Sequence, residues 1–340
     1  MSLLSALIYN LRIYKVAKPL YGGIGHVLTL HRVVQQLEEN RLTWSRNLEI
    51  TAGYLEETVN YFINNNYDII SLDEMHHRLT EQKTLAKKFV VFTFDDGYED
   101  NFIWAYPIFK KHNLPFAIYI TKALIENQLK CWWYDVEDIL LCYNNITLGE
   151  LNLETKTKKQ KELAYLKIRH LIIHTPFETG YAFYNALMAK YPPCKSYSNW
   201  KPMSKDQLAI LNDDALVTLG AHTVNHFSLS KLQLAEATFE VLESKTYLEH
   251  LLQKPIEHFS YPYGSADEAG AREFEIVKET GFITATTTRR ANIFKDHKNN
   301  LYALPRLPLI ETPKEKMFFK MSLSGFLPAY LNTCKRVVTL

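Results

Sequence analysis

Cysteine is scarce in this chain: 4 residues among 340, at positions 131, 142, 194 and 334, with no Cys-x-x-Cys pair. A structural zinc site made of cysteines is thereby excluded, and ordinary reduced thiols in a cytoplasmic protein are expected. Charge of one sign is also lacking. A net charge of +2 excludes strong global steering toward nucleic acid, and no nucleic-acid partner is expected. No run reaches the roughly 20 apolar residues of a membrane span. The apolar opening, residues 1–13, has no leading positive charge, so it lacks the layout of a secretory signal. Arg12, Lys15 and Lys18 come after it instead. Leu3, Leu4, Leu7, Ile8 and Leu11 recur at helical spacing, which marks residues 1–22 as an amphipathic N-terminal segment. Such a helix suits the surface of an anionic bilayer or a dock on the protein's own body.

The chain is long enough to bury one large core decorated with an insertion. Apolar runs at 27–31, 68–71, 89–94, 116–120, 216–221, 256–261 and 282–286 read as strands. Helical patterns lie between them, over 51–65, 72–79, 100–111, 232–252 and 266–280. Residues 131–205 interrupt the alternation with helices near 135–142 and 156–172, and read as an excursion from the core. Repeated strand–helix units with polar residues at strand C-termini favour an α/β barrel or a closely related layer fold. In a barrel those tips converge on one mouth, and His31, Asp95, Asp96, His222 and residues 261–263 all occupy such positions.

The chemistry concentrates there. Thr93-Phe94-Asp95-Asp96-Gly97 ends an apolar strand with two adjacent carboxylates, an expensive arrangement unless a cation neutralises them. A helix cap accounts for one aspartate but not two. His222-Thr223-Val224-Asn225-His226 brings two imidazoles toward one ion from either a helical turn or a tight loop. Tyr261-Pro262-Tyr263-Gly264 stiffens and then relaxes a strand exit, aiming a backbone N–H at the site.

In this order, the three segments resemble the polysaccharide deacetylase family, also called the NodB-homology or carbohydrate esterase family 4 group, over roughly residues 89–290. Leu30-His31-Arg32-Val33 and residues 68–75 resemble its extended branch associated with cell-surface glycan synthesis. The resemblance implies a distorted (β/α)7 barrel over residues 23–320, with a mainly helical insertion at about 131–205 and a C-terminal tail at 321–340. It implies Asp96, His222 and His226 as metal ligands and Asp95 as catalytic base. Tyr263 is implied as the residue whose N–H helps hold the oxyanion. The implied cofactor is a divalent metal, usually Zn2+, with cobalt and nickel tolerated.

Ser260 stands where many members carry an arginine that orients the base, and Arg306 is the candidate to supply that cation. The downstream Asp-plus-Trp motif and the late Leu-x-His segment are missing. His31 is then the candidate general acid, with His297 as competitor, although the neighbours of His297 read as an exposed loop. The function implied is metal-dependent hydrolysis of N-acetyl groups on an amino-sugar-containing glycan or glycan precursor. The alternatives are an O-acetyl or other N-acyl hydrolase, and a noncatalytic glycan-binding member. The expected partner is an N-acetylated saccharide. The N-terminal segment favours a lipid-linked one and peripheral contact at the inner face of the cytoplasmic membrane.

Overall fold

The computed structural model describes residues 3–81 and 86–339, with side chains from residue 7 onward. Eight parallel strands form the main sheet: β1 (Gly25–Leu30), β2 (Asp68–Ile69), β3 (Phe89–Phe94), β4 (Phe116–Ile120), β5 (Val217–Ala221), β6 (His258–Ser260), β7 (Thr284–Thr286) and β8 (Leu307–Pro308). Their order is β7-β6-β5-β4-β3-β1-β8, with β2 also pairing β3. The sheet curls until its edges meet. Leu304 N–H donates to Ala285 O at 2.9 Å and Thr287 N–H to Leu304 O at 2.8 Å, joining β7 to the segment that leads into β8. The result is the distorted (β/α) barrel.

Strand alternation explains its two faces. Val27, Phe89, Val91, Ala117 and Tyr119 fill one apolar cluster with Ile293 and Leu304. Their neighbours Leu28, Leu30, Val90, Phe92, Phe94, Ile118 and Ile120 pack in the main core with helices such as Ala52–Asn64 and Leu234–Leu252. Buried on both faces, the strands read as continuous apolar runs. Helix Ala52–Asn64 is capped by Thr51, whose hydroxyl accepts from the Tyr54 N–H at 3.1 Å. The segment after the acidic pair is not one regular helix: Asn101–Ala105 is a π-helical turn leading into Tyr106–His112.

Residues 131–205 have a core of their own. Trp132, Trp133, Tyr134, Ile139, Tyr165 and Tyr184 are among its members. It holds the helices Trp132–Cys142, Lys158–Ile173 and Phe177–Lys190, and an antiparallel hairpin, Asn145–Leu148 with Leu151–Glu154. Cys142 and Cys194 are joined in a disulfide, with Cα atoms 5.9 Å apart. This corrects the expectation of four reduced thiols. The two cysteines lie 52 residues apart, and spacing of that length carries no signal of proximity. Cys131 and Cys334 are free.

A buried chain of charges ties the insertion to the barrel. Glu137 accepts from Arg41 at 2.8 Å, Arg41 and Arg32 both reach Glu49 at 2.9 Å, and Arg32 reaches Asp100 at 2.8 Å. At the other end of the chain, helix Pro313–Leu323 runs across position 320, with Phe319 and Leu323 in the main core.

Candidate metal centre

The acidic pair sits at the tip of β3. Asp95 N–H continues the ladder to Leu30 O at 2.9 Å, and then the chain turns sharply. Asp96 has φ 77° and Gly97 φ 98°. The conformation favours glycine there, and a Cβ on Gly97 would stand a tight 3.1 Å from Ile120 Cδ1. Positive φ values recur around the site, at Thr223 (65°), His226 (57°) and Tyr263 (62°). A β-branched or aromatic residue in this region is strained, and such strain persists only where surrounding contacts over-determine it.

Those contacts are visible. His222 N–H extends β5 to Ile120 O at 2.9 Å. The loop after it is tight rather than helical. Glu240, buried on helix Leu234–Leu252, accepts from the Val224 N–H at 3.0 Å, the Asn225 N–H at 2.8 Å and the Asn225 side-chain amide at 2.6 Å. The His226 N–H donates to the Thr223 hydroxyl at 3.0 Å. The Tyr263 turn is pinned by the Thr288 N–H donating to Gly264 O at 2.9 Å. Gly264 has φ 61°, and a Cβ there would stand 2.9 Å from that nitrogen.

With the loops so held, Asp96 Oδ1 lies 3.5 Å from His222 Nε2 and 3.3 Å from His226 Nε2. All three residues are buried. Two ligands about 2.0–2.1 Å from one tetrahedral zinc-sized ion sit about 3.3 Å apart, so these separations fit a shared cation. Asp96 Oδ1 has no hydrogen-bond partner among the described residues. His222 Nδ1 is 2.6 Å from Ser260 O, so it carries the proton and leaves the Nε2 lone pair free for a metal. Burial pushes the His222 imidazolium down to about 4, which keeps the ring neutral at pH 7. Burial works to raise the Asp96 carboxyl, but His226 and its neighbours hold it well below the usual carboxylate range. Among the described residues this is the one cluster with the donors and spacing for a metal ion.

Asp95 is treated differently. Arg306, fully buried, donates from both terminal nitrogens to its two oxygens at 2.7 Å each. The same guanidinium reaches Thr93 Oγ1 at 3.1 Å, Ser260 Oγ at 3.0 Å and Thr287 O at 3.0 Å. Burial works to raise the Asp95 carboxyl, and the Arg306 charge overcomes it, holding the group below its ordinary value. Ser260, on β6, is small enough to admit this guanidinium, which arrives from just before β8, one strand away across β7.

His31 follows β1 into the same cleft, its Nε2 4.0 Å from Asp95 Oδ2 and its side chain 26% exposed. Asn101, in the π-helical turn, holds His31 O at 2.8 Å. His297 lies elsewhere: it is buried, not in an exposed loop, and its Nδ1 accepts from the Phe294 N–H at 3.0 Å. The structure thus brings together Asp95, Asp96, His222, His226, Tyr263, Arg306 and His31. Sequence reasoning missed Glu240, for which a lone acid inside a helix gives no signal. It also left open the packing of Trp133, whose ring centroid lies 5.1 Å from that of His226. A cleft of about 460 Å³ opens over the cluster, walled on the insertion side by Trp132, Trp133 and Arg169.

The profile of the polysaccharide deacetylase family matches residues 82–283. Over 125 residues the chain is 32% identical to YxkH of Bacillus subtilis, whose name places it among polysaccharide deacetylases; the match covers 35% of this chain and 44% of that protein. The fold is similar to that of the Streptococcus pyogenes deacetylase PplD, solved with acetate (19% identity, TM-score 0.54, 87% of this chain and 97% of that one). It is also similar to IcaB from Ammonifex degensii (16% identity, TM-score 0.56, 90% and 98%). A de-N-acetylase from Aggregatibacter actinomycetemcomitans is a third such structure (16% identity, TM-score 0.55, 87% and 99%). With more than half its length matched by the profile and the three motifs folded onto one site, the chain belongs to the polysaccharide deacetylase family.

Proposed function

We propose that the protein is a metal-dependent hydrolase that removes N-acetyl groups from an amino-sugar-containing glycan. One observation carries this reading. Asp96 is a buried carboxylate whose only basic neighbours within ion-pair distance, among the described residues, are two imidazoles, while the adjacent Asp95 is fully matched by Arg306. An unmatched buried charge is costly, and a divalent cation held by Asp96, His222 and His226 removes that cost. One carboxylate oxygen and two imidazole nitrogens at these separations favour Zn2+, while Co2+ and Ni2+ suit the same donors.

Once bound, such a cation supplies Lewis acidity toward the acetyl oxygen and makes water in the site more acidic. Asp95 takes the proton from the attacking water. Arg306 occupies one lone pair on each of its oxygens; the Thr29 hydroxyl also reaches Oδ2, at 3.4 Å, so Oδ1 is the oxygen with a lone pair left to accept a proton. The carbonyl carbon gains a bond to the water oxygen, and negative charge builds on the acetyl oxygen. The Tyr263 N–H, which meets no acceptor among the described residues, stabilises that oxyanion. His31 then donates a proton to the departing nitrogen, the C–N bond breaks, and acetate and a free amine leave. Exposed Trp44, under the Arg169 guanidinium at 4.7 Å, gives the cleft an aromatic face of the kind that sugar rings stack on.

The Cys142–Cys194 bridge supports a location where disulfides persist, on the oxidising side of a membrane rather than in the cytoplasm. The test of the activity is acetate release from N-acetylated oligosaccharides by protein loaded with zinc or cobalt. Release is expected, with loss after chelation and recovery when the metal is returned. Release that survives complete removal of metal overturns the assignment.

A further inference from the structure

The face opposite the metal centre carries a second cavity, of about 550 Å³, lined by Arg12, Lys15, Lys18 and Lys320 and by tyrosines including Tyr14 and Tyr61. Among the described residues, no acidic side chain lines it. None of the four cations has an ion pair among the described residues, although all four are exposed. Two segments far apart in sequence build it. Arg12, Lys15 and Lys18 come from the segment holding the short 3-10 helix Ile13–Ala17, and Lys320 comes from helix Pro313–Leu323.

The same segment leaves apolar side chains in water. Leu11, Val16 and Leu20 are exposed, Val16 at 78%. Helix Phe326–Leu331 packs against this segment and adds Tyr330, 77% exposed, and Leu331. Folding against the body has therefore been satisfied without covering these residues. Unpaired cations beside exposed apolar and tyrosine side chains match an anionic phospholipid surface, with headgroup phosphates at the cations and apolar groups at the acyl boundary. Neither feature alone selects that partner; the charge complementarity and the apolar exposure do so together.

The position in the barrel gives the orientation. Tyr67, in the cavity wall, immediately precedes β2, and the Lys88 ammonium that holds Gly22 O at 2.5 Å immediately precedes β3. The cavity thus lies at the N-terminal ends of the strands, whereas Asp95 and Asp96 follow the C-terminal end of β3. A strand of 6 residues spans about 20 Å. We infer that this face is an anionic-lipid docking surface that holds the barrel on a membrane with the catalytic mouth turned outward. The mouth then meets glycan at least about one strand length above the headgroups, and a saccharide lying at headgroup level is out of its reach.

Sedimentation of the full chain with vesicles tests this independently of the catalytic reading. Binding is expected with vesicles containing phosphatidylglycerol and not with phosphatidylcholine alone. Reversing the charges by Arg12→Glu, Lys15→Glu and Lys18→Glu together is expected to weaken binding by about 100-fold or more. The single change Val16→Asp, at a side chain left mostly in water, weakens it with little effect on folding. Acetate release and thermal unfolding should be unchanged in both variants. With the exposed Cys334 replaced by serine, a polarity-sensitive label introduced by Asn10→Cys in the cavity wall should report an apolar environment on vesicles, while one introduced by Asp267→Cys at the rim of the mouth stays in water. No preference for the anionic lipid, or binding indifferent to the charge reversal, overturns the surface. A rim label that enters the bilayer overturns the orientation.

Discussion

Around the tips of β1, β3, β5 and β6, polar side chains are matched almost atom for atom. Arg306 spends its donors on Asp95, Thr93, Ser260 and Thr287, and His222 Nδ1 spends its proton on Ser260. Asp96 Oδ1 is unmatched among the described residues and is left for a metal; His226 Nδ1, on the other side of its ring from Asp96, is unmatched too. Across the cleft, residues 131–205 present aromatic faces and the Arg169 guanidinium, which has no ion pair among the described residues. The contrast separates chemistry from recognition. Strand tips fix a reacting geometry because their backbone is locked by the sheet. A helical excursion with its own core presents a surface suited to the shape of a substrate.

If that division is right, the two regions respond differently to substitution, and the largest response belongs to the base. Asp95→Asn keeps the shape and most of the Arg306 contacts but removes the proton acceptor. Turnover is expected to fall by about 10² to 10⁴, with substrate affinity nearly unchanged and bound metal intact by elemental analysis. Retained turnover would place the base elsewhere.

Next comes the cation beneath it. Arg306→Met leaves a buried carboxylate without its partner, at a cost of about 3–5 kcal/mol in thermal or denaturant unfolding. The sign of the pH effect follows from the cause. The Arg306 charge holds Asp95 below its ordinary value, so its loss raises that value and the acid limb of the rate profile moves to higher pH. An unmoved limb would mean that Asp95 is not the group titrating there.

How far these roles could be read from sequence depends on contiguity. Phe89–Phe94 and Phe116–Ile120 are legible to the residue because strands buried on both sides are unbroken apolar runs. The acidic pair and the two histidines are legible because each set lies within five residues of chain. Arg306 is visible only through an absence, the serine at 260, and the structure joins the two at 3.0 Å. The hairpin Asn145–Leu148 with Leu151–Glu154 and the helix Phe177–Lys190 escape notice because their apolar residues face a local core of irregular period. The Cys142–Cys194 bridge and the Glu137–Arg41–Glu49–Arg32 chain escape for a different reason: each depends on partners that only tertiary folding brings near.

The bridge supplies the third prediction. Replacing Cys142 and Cys194 by serine releases a 52-residue loop, with an expected loss of about 2–4 kcal/mol. That loss should appear as early exposure of residues 131–205 to protease or hydrogen exchange, with the strand tips still protected. Uniform loss of protection across barrel and insertion would show that the two unfold as one unit, and would break the comparison.

The smallest effect is the sharpest test, because it lies on the seam itself. Trp132 Nε1–H donates to the Tyr263 hydroxyl at 2.8 Å, so an insertion residue holds the side chain of the residue whose backbone N–H we propose as the oxyanion donor. The Tyr263 backbone has its own restraints, through Gly264 and Thr288. Trp132→Phe removes the donor and keeps an aromatic wall. The net cost of one such hydrogen bond is about 1 kcal/mol, or roughly a fivefold change in an equilibrium. If the insertion serves recognition, that factor appears in KM, and kcat stays within twofold. If it appears in kcat instead, the side-chain anchor is positioning the oxyanion donor, and the insertion belongs to the catalytic machinery as much as the strand tips do.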